Sequence, residues 1–435
     1  MASKSQKVAP GRRVAIVKGL RTPFLKQGTG FGKLSALDLA RIVVTEIIQR
    51  ADLDPELIDA CVYGQVVPGL LQPGIAREVV LAAGLPRKIE ALTVSRACAT
   101  SIQSMTTAAD HIALGMADVV LTGGTDSMSD PPIFASRALS HALLAASRGK
   151  TPVQKLKAFQ RLKARDLAPV PPAIAEYATG MTMGQSAEKM AKENGISREE
   201  QDAIALASHQ NAAKGWESGF FDSHVMHVPV PPKYSDVAVR DNIVRKDASM
   251  EALSKLKPVF DRRFGTVTAG NASPLTDGAS ALILMSEERA KELGYTPLGY
   301  LRSYAYASTD PAGQLLQGPA YATPVALSRA GMTLADIDLV EMHEAFASQI
   351  ASNLQAFASK EFAEKNGFGK PVGEVDRDRL NVTGGSISLG HPFGATGARI
   401  ITQALHNLES RNKNTVLCTV CAAGGQGAAV VLERA

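Results

Sequence analysis

Two stretches of this chain spell out the same order of elements, and that repetition constrains the fold more than any single motif. In the first, VAIVKG (14–19) reads as a strand, SALDLARIVVTEIIQRA (35–51) as an amphipathic helix and ACVYGQVV (60–67) as a strand. A short helix around 75–83, a strand ALTVS (91–95), a small-residue helix from Cys98 to about Leu114 and a buried strand DVVLTGG (118–124) follow. In the last third LGYLRSYAYAS reads as a strand, 323–330 as a helix, DLVEMHE as a strand end and AFASQIASNLQAFAS as a helix. Then LNVTGG reads as a strand, GATGARIITQALHNLES as a helix and TVLCTVC as a strand. AAVVLE closes this half as ASALILM (279–285) closes the first. Strand-length apolar runs alternating with helical periodicity require helices layered on sheets, so an α/β fold made of two similar halves is expected.

Residues 130–257 break the pattern. They hold the pairs Pro131-Pro132, Pro171-Pro172 and Pro231-Pro232 and helical patterns without buried strands. Ser197 and Glu200 are spaced as a capping box before a helix. This segment reads as a helical and loop insertion that caps a site on the core. The expected division is 1–129 with 258–288 as the first half, 130–257 as the cap, and 289–435 as the second half. Within the cap, 131–165 contains no acid but carries Arg137, Arg148, Lys150, Lys155, Lys157, Arg161, Lys163 and Arg165, with Val153, Leu156, Phe159 and Leu162 every three residues. A solvated face, docking to an acidic partner or membrane surface, and attraction of phosphates all fit that composition.

Composition removes several classes. The formal net charge of +5 on 435 residues is too small to argue for nucleic-acid binding. Four cysteines, Cys61, Cys98, Cys418 and Cys421, are too few for a disulfide-stapled secreted fold. The start, MASKSQKVAPGRR, is polar and basic without an apolar core, unlike a secretory signal. The uncharged stretch Thr415–Leu432 is long enough for a membrane span, but Gly424, Gly425 and Gly427 split it into two strand-length runs. A cytoplasmic protein is expected.

The remaining question is what the thiols do. Cys98, in SRACATSIQS, ends a strand and opens a small-residue helix. A thiol there meets the positive helix end and unpaired N–H groups, which lower its pKa and pre-form a hole for an oxyanion. A small buried hydrophobe is the competing reading. His391, in GHPFGATG, occupies the matching turn of the second half, so packing the halves about a pseudo-dyad would face it toward Cys98 as a base toward its nucleophile. A structural histidine in a glycine-rich turn is the alternative. Cys418 and Cys421 form a C-x-x-C, but in a strand positions i and i+3 face opposite sides, which suits Cys421 in a pocket and Cys418 in the core. A four-thiolate zinc site would need a second such pair. In HEAF (343–346), His343 could orient a water or donate to an oxyanion, and Glu344 could hold neighbouring loops. Neither a P-loop nor a G-x-G-x-x-G fingerprint occurs, so nucleotide hydrolysis and nicotinamide binding lack support.

Taken together, RACATS, GTVTAGNAS (265–273), HEAF, NVTGGSISLGHPFGATGAR and CAAGGQG resemble the thiolases, in order and over essentially the whole chain. The resemblance implies a duplicated five-layered αβαβα core with a loop domain covering coenzyme A. It implies acetyl-CoA C-acyltransferase activity, the cleavage of 3-ketoacyl-CoA by coenzyme A through a Cys98 acyl-enzyme. His391 would be the base, Cys421 the second acid/base, His343 a holder of the oxyanion water, and the N–H groups of Cys98 and Ala423 a second oxyanion hole. Met183, Ser273, Ala345 and Phe346 match positions lining the pantetheine tunnel. Coenzyme A is then a co-substrate, with no metal and no other cofactor.

Most thiolases carry Asn where this chain has His343, and a glycine-richer run after the second cysteine. Both departures resemble the β subunit of the multienzyme fatty-acid β-oxidation complex, in its bacterial form since no transit peptide is evident. That branch implies a homodimer, an α2β2 complex with a hydratase/dehydrogenase subunit, and peripheral contact with the inner membrane through 131–165. A biosynthetic, acetoacetyl-CoA-forming thiolase, a condensing ketosynthase and a non-catalytic acyl-CoA or lipid carrier are the alternatives. A ketosynthase would place His or Asn where Cys421 stands.

Overall fold

A computed structural model describes residues 11–70, 72–170, 172 and 175–435 of the chain. The polar start at 1–10, and Pro171 of the second proline pair, lie outside the described residues. The first half runs β1 (Val14–Arg21), β2 (Leu25–Lys26), α1 (Ala36–Arg50), β3 (Ala60–Gly64), α2 (Ile75–Ala82), β4 (Glu90–Val94), α3 (Thr100–Ala113) and β5 (Val119–Asp126). The insertion carries α4 (Arg137–Arg148), α5 (Pro152–Lys157), α6 (Met183–Glu193), α7 (Arg198–Glu217), β6 (Val228–Val230), β7 (Asp236–Ala238) and α8 (Met250–Ser254). β8 (Thr276–Ser286) and α9 (Glu287–Glu292) return to the first half. The second half runs β9 (Gly299–Ser308), α10 (Gly318–Ala330), β10 (Leu339–Met342), α11 (Ala347–Ala358), α12 (Lys360–Lys365), α13 (Ser386–Leu389), α14 (Thr396–Ser410), β11 (Thr415–Ala422) and β12 (Gln426–Arg434).

The strands lie in the order β10-β11-β12-β9-β1-β8-β5-β3-β4. The halves join where β1 pairs antiparallel with β9, Ala15 opposite Tyr300 and Ile16 opposite Gly299. Each half-sheet mixes antiparallel pairs with parallel ones, β3 with β4 and β5, and β10 with β11.

Alternation along the strands sets the layers. In β3, Cys61 and Tyr63 face a core built with Leu39, Val43 and Ile47 of α1 and Val79 and Val80 of α2. Ala60 and Val62 face the other way, onto Ile102, Met105 and Ile112 of α3. β11 does the same: Val416, Cys418 and Val420 meet Ile400, Ile401 and Leu405 of α14, while Leu417 meets α10 and α11. Helices α3 and α14 are therefore sandwiched between the half-sheets, and the layering is αβαβα. Helix α1 begins with a reciprocal cap, the Asp38 N–H donating to Ser35 Oγ and the Ser35 N–H to the Asp38 carboxylate at 3.1 and 3.0 Å.

The two central helices approach closely at their N-termini. The Ala398 N–H of α14 donates to Ser101 Oγ of α3 at 2.8 Å. Beside it, a Cβ placed on Gly397 would sit 2.6 Å from the Ile102 nitrogen, so only glycine fits. This contact brings the two turns of interest together.

Two expectations fail. LNVTGG is not a strand: Leu380 makes only an isolated bridge to Val340, and Asn381 turns left-handed at φ 47°. The Asn381 side chain takes over the pairing, its Oδ1 accepting from the Met342 N–H at 2.8 Å and its Nδ2 donating to the Met342 carbonyl at 2.9 Å. The insertion carries one small antiparallel pair, β6 with β7, neither buried along its length, so its described residues hold no buried strand, as expected. The box at Ser197 is half made. Ser197 Oγ accepts from the Glu200 N–H, but the Glu200 carboxylate turns to Arg377 at 3.4 Å. No helix among the described residues is long and apolar enough to cross a membrane; Thr415–Leu432 forms the hairpin β11–β12 instead.

Candidate active site

Cys98 sits in the turn between β4 and α3. Ala97 before it is held at φ 44°, a left-handed conformation that costs an alanine about 1–2 kcal/mol. Thr100 pins the turn: its Oγ1 accepts from the Arg96 N–H and donates to the Ala97 carbonyl, each at 2.7 Å. The opposing turn is shaped by Gly390 at φ 101° and delivers His391 from the second half. His391 Nε2 lies 3.2 Å from Cys98 Sγ, and its Nδ1 lies 2.6 Å from Thr396 Oγ1 at the start of α14. Asp126, at the end of β5, fastens the turn from below. Its carboxylate accepts from the N–H groups of Gly394, Val67 and Val66 at 2.8, 2.8 and 3.1 Å.

The electrostatics differ from the expectation of a lowered thiol pKa. Burial pushes Cys98 up to about 12, outweighing the pull of the backbone N–H groups of Ala423 and of Cys98 itself toward the thiolate. Burial, aided by the charge of Arg399, takes His391 down to about 3. At rest the couple is a neutral thiol and a neutral imidazole. A thiolate at Cys98 would form by passing its proton across the 3.2 Å contact to His391.

His343 follows β10, its ring tilted against that of His391 with centroids 4.2 Å apart. A ring nitrogen of each histidine and Cys98 Sγ lie within 4.8 Å of one another, the one such group of potential metal ligands among the described residues. A soft ion such as zinc suits these donors, and would occupy the nucleophile itself. Glu344 is buried and accepts from Ser208 Oγ, Asn381 Nδ2 and the Ile387 N–H at 2.7, 2.7 and 3.1 Å, tying α7, the 381 turn and α13 together. Cys421 ends β11 on the side away from Cys418, packed with Met183, Phe260, Ala345 and Phe346. Its thiol is also pushed up, by burial first and then by its neighbour Cys98.

A cavity of about 390 Å³ opens onto Cys98 and Ala423. Met183 lines it, as do Pro132, Phe134 and Glu176 of the insertion. Ser273, Ala345 and Phe346 do not line it; the Ser273 N–H donates to the Ala345 carbonyl at 3.0 Å behind the apolar cluster around Cys421. Sequence reasoning overlooked Thr396, Asp126, Ser386 and Arg399. Thr396 and Arg399 stand within the GATGAR motif and Ser386 within GGSISLG, so their place was visible but not their partners.

A cysteine of one half facing a histidine of the other, at the seam of a duplicated α/β core, defines a class: proteins built for covalent catalysis by a thiol. Residues 14–288 match the family model "Thiolase, N-terminal domain" and 295–434 match "Thiolase, C-terminal domain". The 3-ketoacyl-CoA thiolase of Shewanella amazonensis is 53% identical over 426 residues, 98% of each chain. Among solved structures, the Bacillus anthracis acetyl-CoA acetyltransferase superposes with a TM-score of 0.84 at 31% identity, covering 98% of this chain and 100% of that one. Human mitochondrial 3-ketoacyl-CoA thiolase in complex with CoA superposes at 0.80 and 31% identity, covering 98% of each. The chain belongs to the thiolase family.

Proposed function

We infer that the protein is an acyltransferase that cleaves 3-ketoacyl-CoA with coenzyme A, giving acetyl-CoA and an acyl-CoA shortened by two carbons, in fatty-acid β-oxidation. Coenzyme A is its co-substrate. The carrying observation is the Cys98 Sγ–His391 Nε2 contact of 3.2 Å across the seam of the two halves.

Cys98 Sγ attacks the 3-keto carbon as its proton passes to His391 Nε2. The bond between carbons 2 and 3 then breaks, its electron pair leaving as the enolate of acetyl-CoA. The Cys421 thiol protonates that enolate at carbon, and its oxygen is held by His391 and a water on His343. Coenzyme A next gives its thiol proton to the Cys421 thiolate and attacks the acyl carbon. The Sγ–C bond breaks and Cys98 recovers its proton from His391. The N–H groups of Cys98 and Ala423 hold the acyl oxygen, a donor in such a place being worth about 3–4 kcal/mol. Met183 would border the pantetheine, with Ser273, Ala345 and Phe346 supporting it from behind the apolar cluster around Cys421.

Several finer assignments belong to the same reading. The functional units are 1–129 with 258–288, 130–257 and 289–435. Strand β4 ends the sheet with Leu92 45% exposed, which suits pairing with a second copy. Leu143, Leu144, Val153 and Leu156 are exposed on α4 and α5 among the basic residues. That face would carry an acidic partner, such as the other subunit of an α2β2 complex, or the inner membrane from a cytoplasmic location. Changing Lys155, Lys157, Arg161 and Lys163 to Glu should weaken complex or vesicle binding; unchanged co-purification and vesicle binding would remove this role.

The deciding assay is thiolysis of 3-ketoacyl-CoA by wild type and Cys98→Ala. The variant should be inactive, and mass spectrometry of the wild type before adding coenzyme A should find an acyl group on Cys98. Equal rates would refute the assignment. Condensation with an acyl-carrier-protein substrate would instead indicate a ketosynthase.

A further inference from the structure

His343 is wholly buried, and its Nε2 has no hydrogen-bond partner within the protein. Its Nδ1 lies 2.8 Å from Ser386 Oγ, so Nε2 is the ring corner left to face the nucleophile. Ser386 is itself buried, and its Oγ has one other partner, Arg399 Nη2 at 2.7 Å. A guanidinium only donates, so Arg399 occupies a lone pair of Ser386 Oγ. The serine proton then has a single acceptor within reach, His343 Nδ1. The opposite arrangement, with Nδ1 protonated, additionally strands the serine proton in a dry interior, at a cost in desolvation, while Nε2 lacks a protein partner in both.

We propose that Arg399 and Ser386 fix His343 as its Nε2–H tautomer, a permanent donor beside Cys98, and are positioning residues for the reaction. The relay rests on the thiolase reading above and sharpens it: the enolate oxygen is met directly by an N–H of His343, without a water in between. Arg399 is suited to the role because it is buried, with 1% of its surface exposed, and faces the acidic side chains of Glu341 and Glu344, which favour its charged form. It thus gives Ser386 a donor that never reverses direction. His343 in turn stays neutral, since burial first, then His391 and Arg399, hold its pKa well below the usual imidazole range.

Long-range proton–nitrogen NMR of protein labelled with 15N-histidine, assigned with His343→Ala, reads the tautomer directly. Nε2–H in the wild type, shifting toward a mixture in Ser386→Ala, supports the relay; Nδ1–H in the wild type overturns it. In thiolysis, Ser386→Ala should lower kcat about tenfold or more with KM unchanged, as expected of a group orienting a catalytic histidine. Ser386→Thr, which keeps the hydroxyl, should restore most of it. Added to His343→Ala, Ser386→Ala should cost nothing further, because the serine acts only through that ring. An additive loss, or full kcat in Ser386→Ala, overturns the relay. Thiolysis surviving Cys98→Ala would instead overturn the underlying reading. The wild-type spectrum decides even if Ser386→Ala fails to fold.

Discussion

Gly397→Ala tests whether the two halves must touch for the chemistry to exist. The added Cβ would lie 2.6 Å from the Ile102 nitrogen, 2.8 Å from Ile102 Cγ1 and 2.9 Å from Ser101 Oγ. The first of these is backbone and cannot swing aside. Since carbon–nitrogen contacts settle near 3.5 Å, α14 must withdraw from α3 by about 0.8–0.9 Å. That stretches the 2.8 Å bond from the Ala398 N–H to Ser101 Oγ and carries the His391 turn with it. Overpacking of this kind costs about 1–3 kcal/mol of stability. A displacement near 1 Å between base and nucleophile costs about 10²-fold in rate. The assay pairs urea denaturation with steady-state thiolysis at saturating substrates. Gly313→Ala, where the nearest atom is 3.5 Å away, serves as the control and should leave both unchanged. A Gly397→Ala protein with wild-type stability and kcat would refute the claim that this contact sets the Cys98–His391 geometry. Loss of stability with intact kcat would refute the catalytic half alone.

Two further outcomes concern the fold. Glu341 is buried, and burial raises its pKa to about 8 from an ordinary 4.5, so between those values the unfolded chain has released a proton that the native state keeps. Its contribution to stability is complete below pH 4.5 and is lost as pH climbs toward 8, by up to about 1.4 kcal/mol per pH unit. Glu341→Gln should flatten that fall in urea midpoints across the same window; an unchanged slope would sink the assignment. Asp241 joins the insertion to the first half, accepting from Arg21 Nη1 and Nη2 at 2.6 and 2.8 Å and from the Phe24 N–H at 2.7 Å, all buried. Asp241→Ala should cost about 3–5 kcal/mol by stranding the guanidinium, read as a matching drop in unfolding free energy.

The sequence carried the duplicated order of elements because each half writes it in local periodicity, and the assignment of Cys418 and Cys421 to opposite faces because strand alternation is rigid. It also paired Cys98 with His391, since equivalent turns of equivalent halves meet across the seam. What it could not carry were contacts settled by packing. LNVTGG has strand composition, but the Asn381 side chain supplies the hydrogen bonds a strand would have made. Glu200 had the spacing of a cap and was captured by Arg377 instead. The lowered thiol pKa followed from a helix end considered alone, before the weight of protein around Cys98 was known. Ser386 and Arg399 lie 13 positions apart and meet only because α13 and α14 are both buried beneath the site.

The strained Ala97 turn belongs to one half and the His391 turn to the other, so neither half owns a working reaction centre. A chain of this design cannot be trimmed to its better half, nor can one copy drift while the other keeps the chemistry. In a partly folded molecule, with its halves apart, Cys98 would lack the His391 contact on which the proposed chemistry depends.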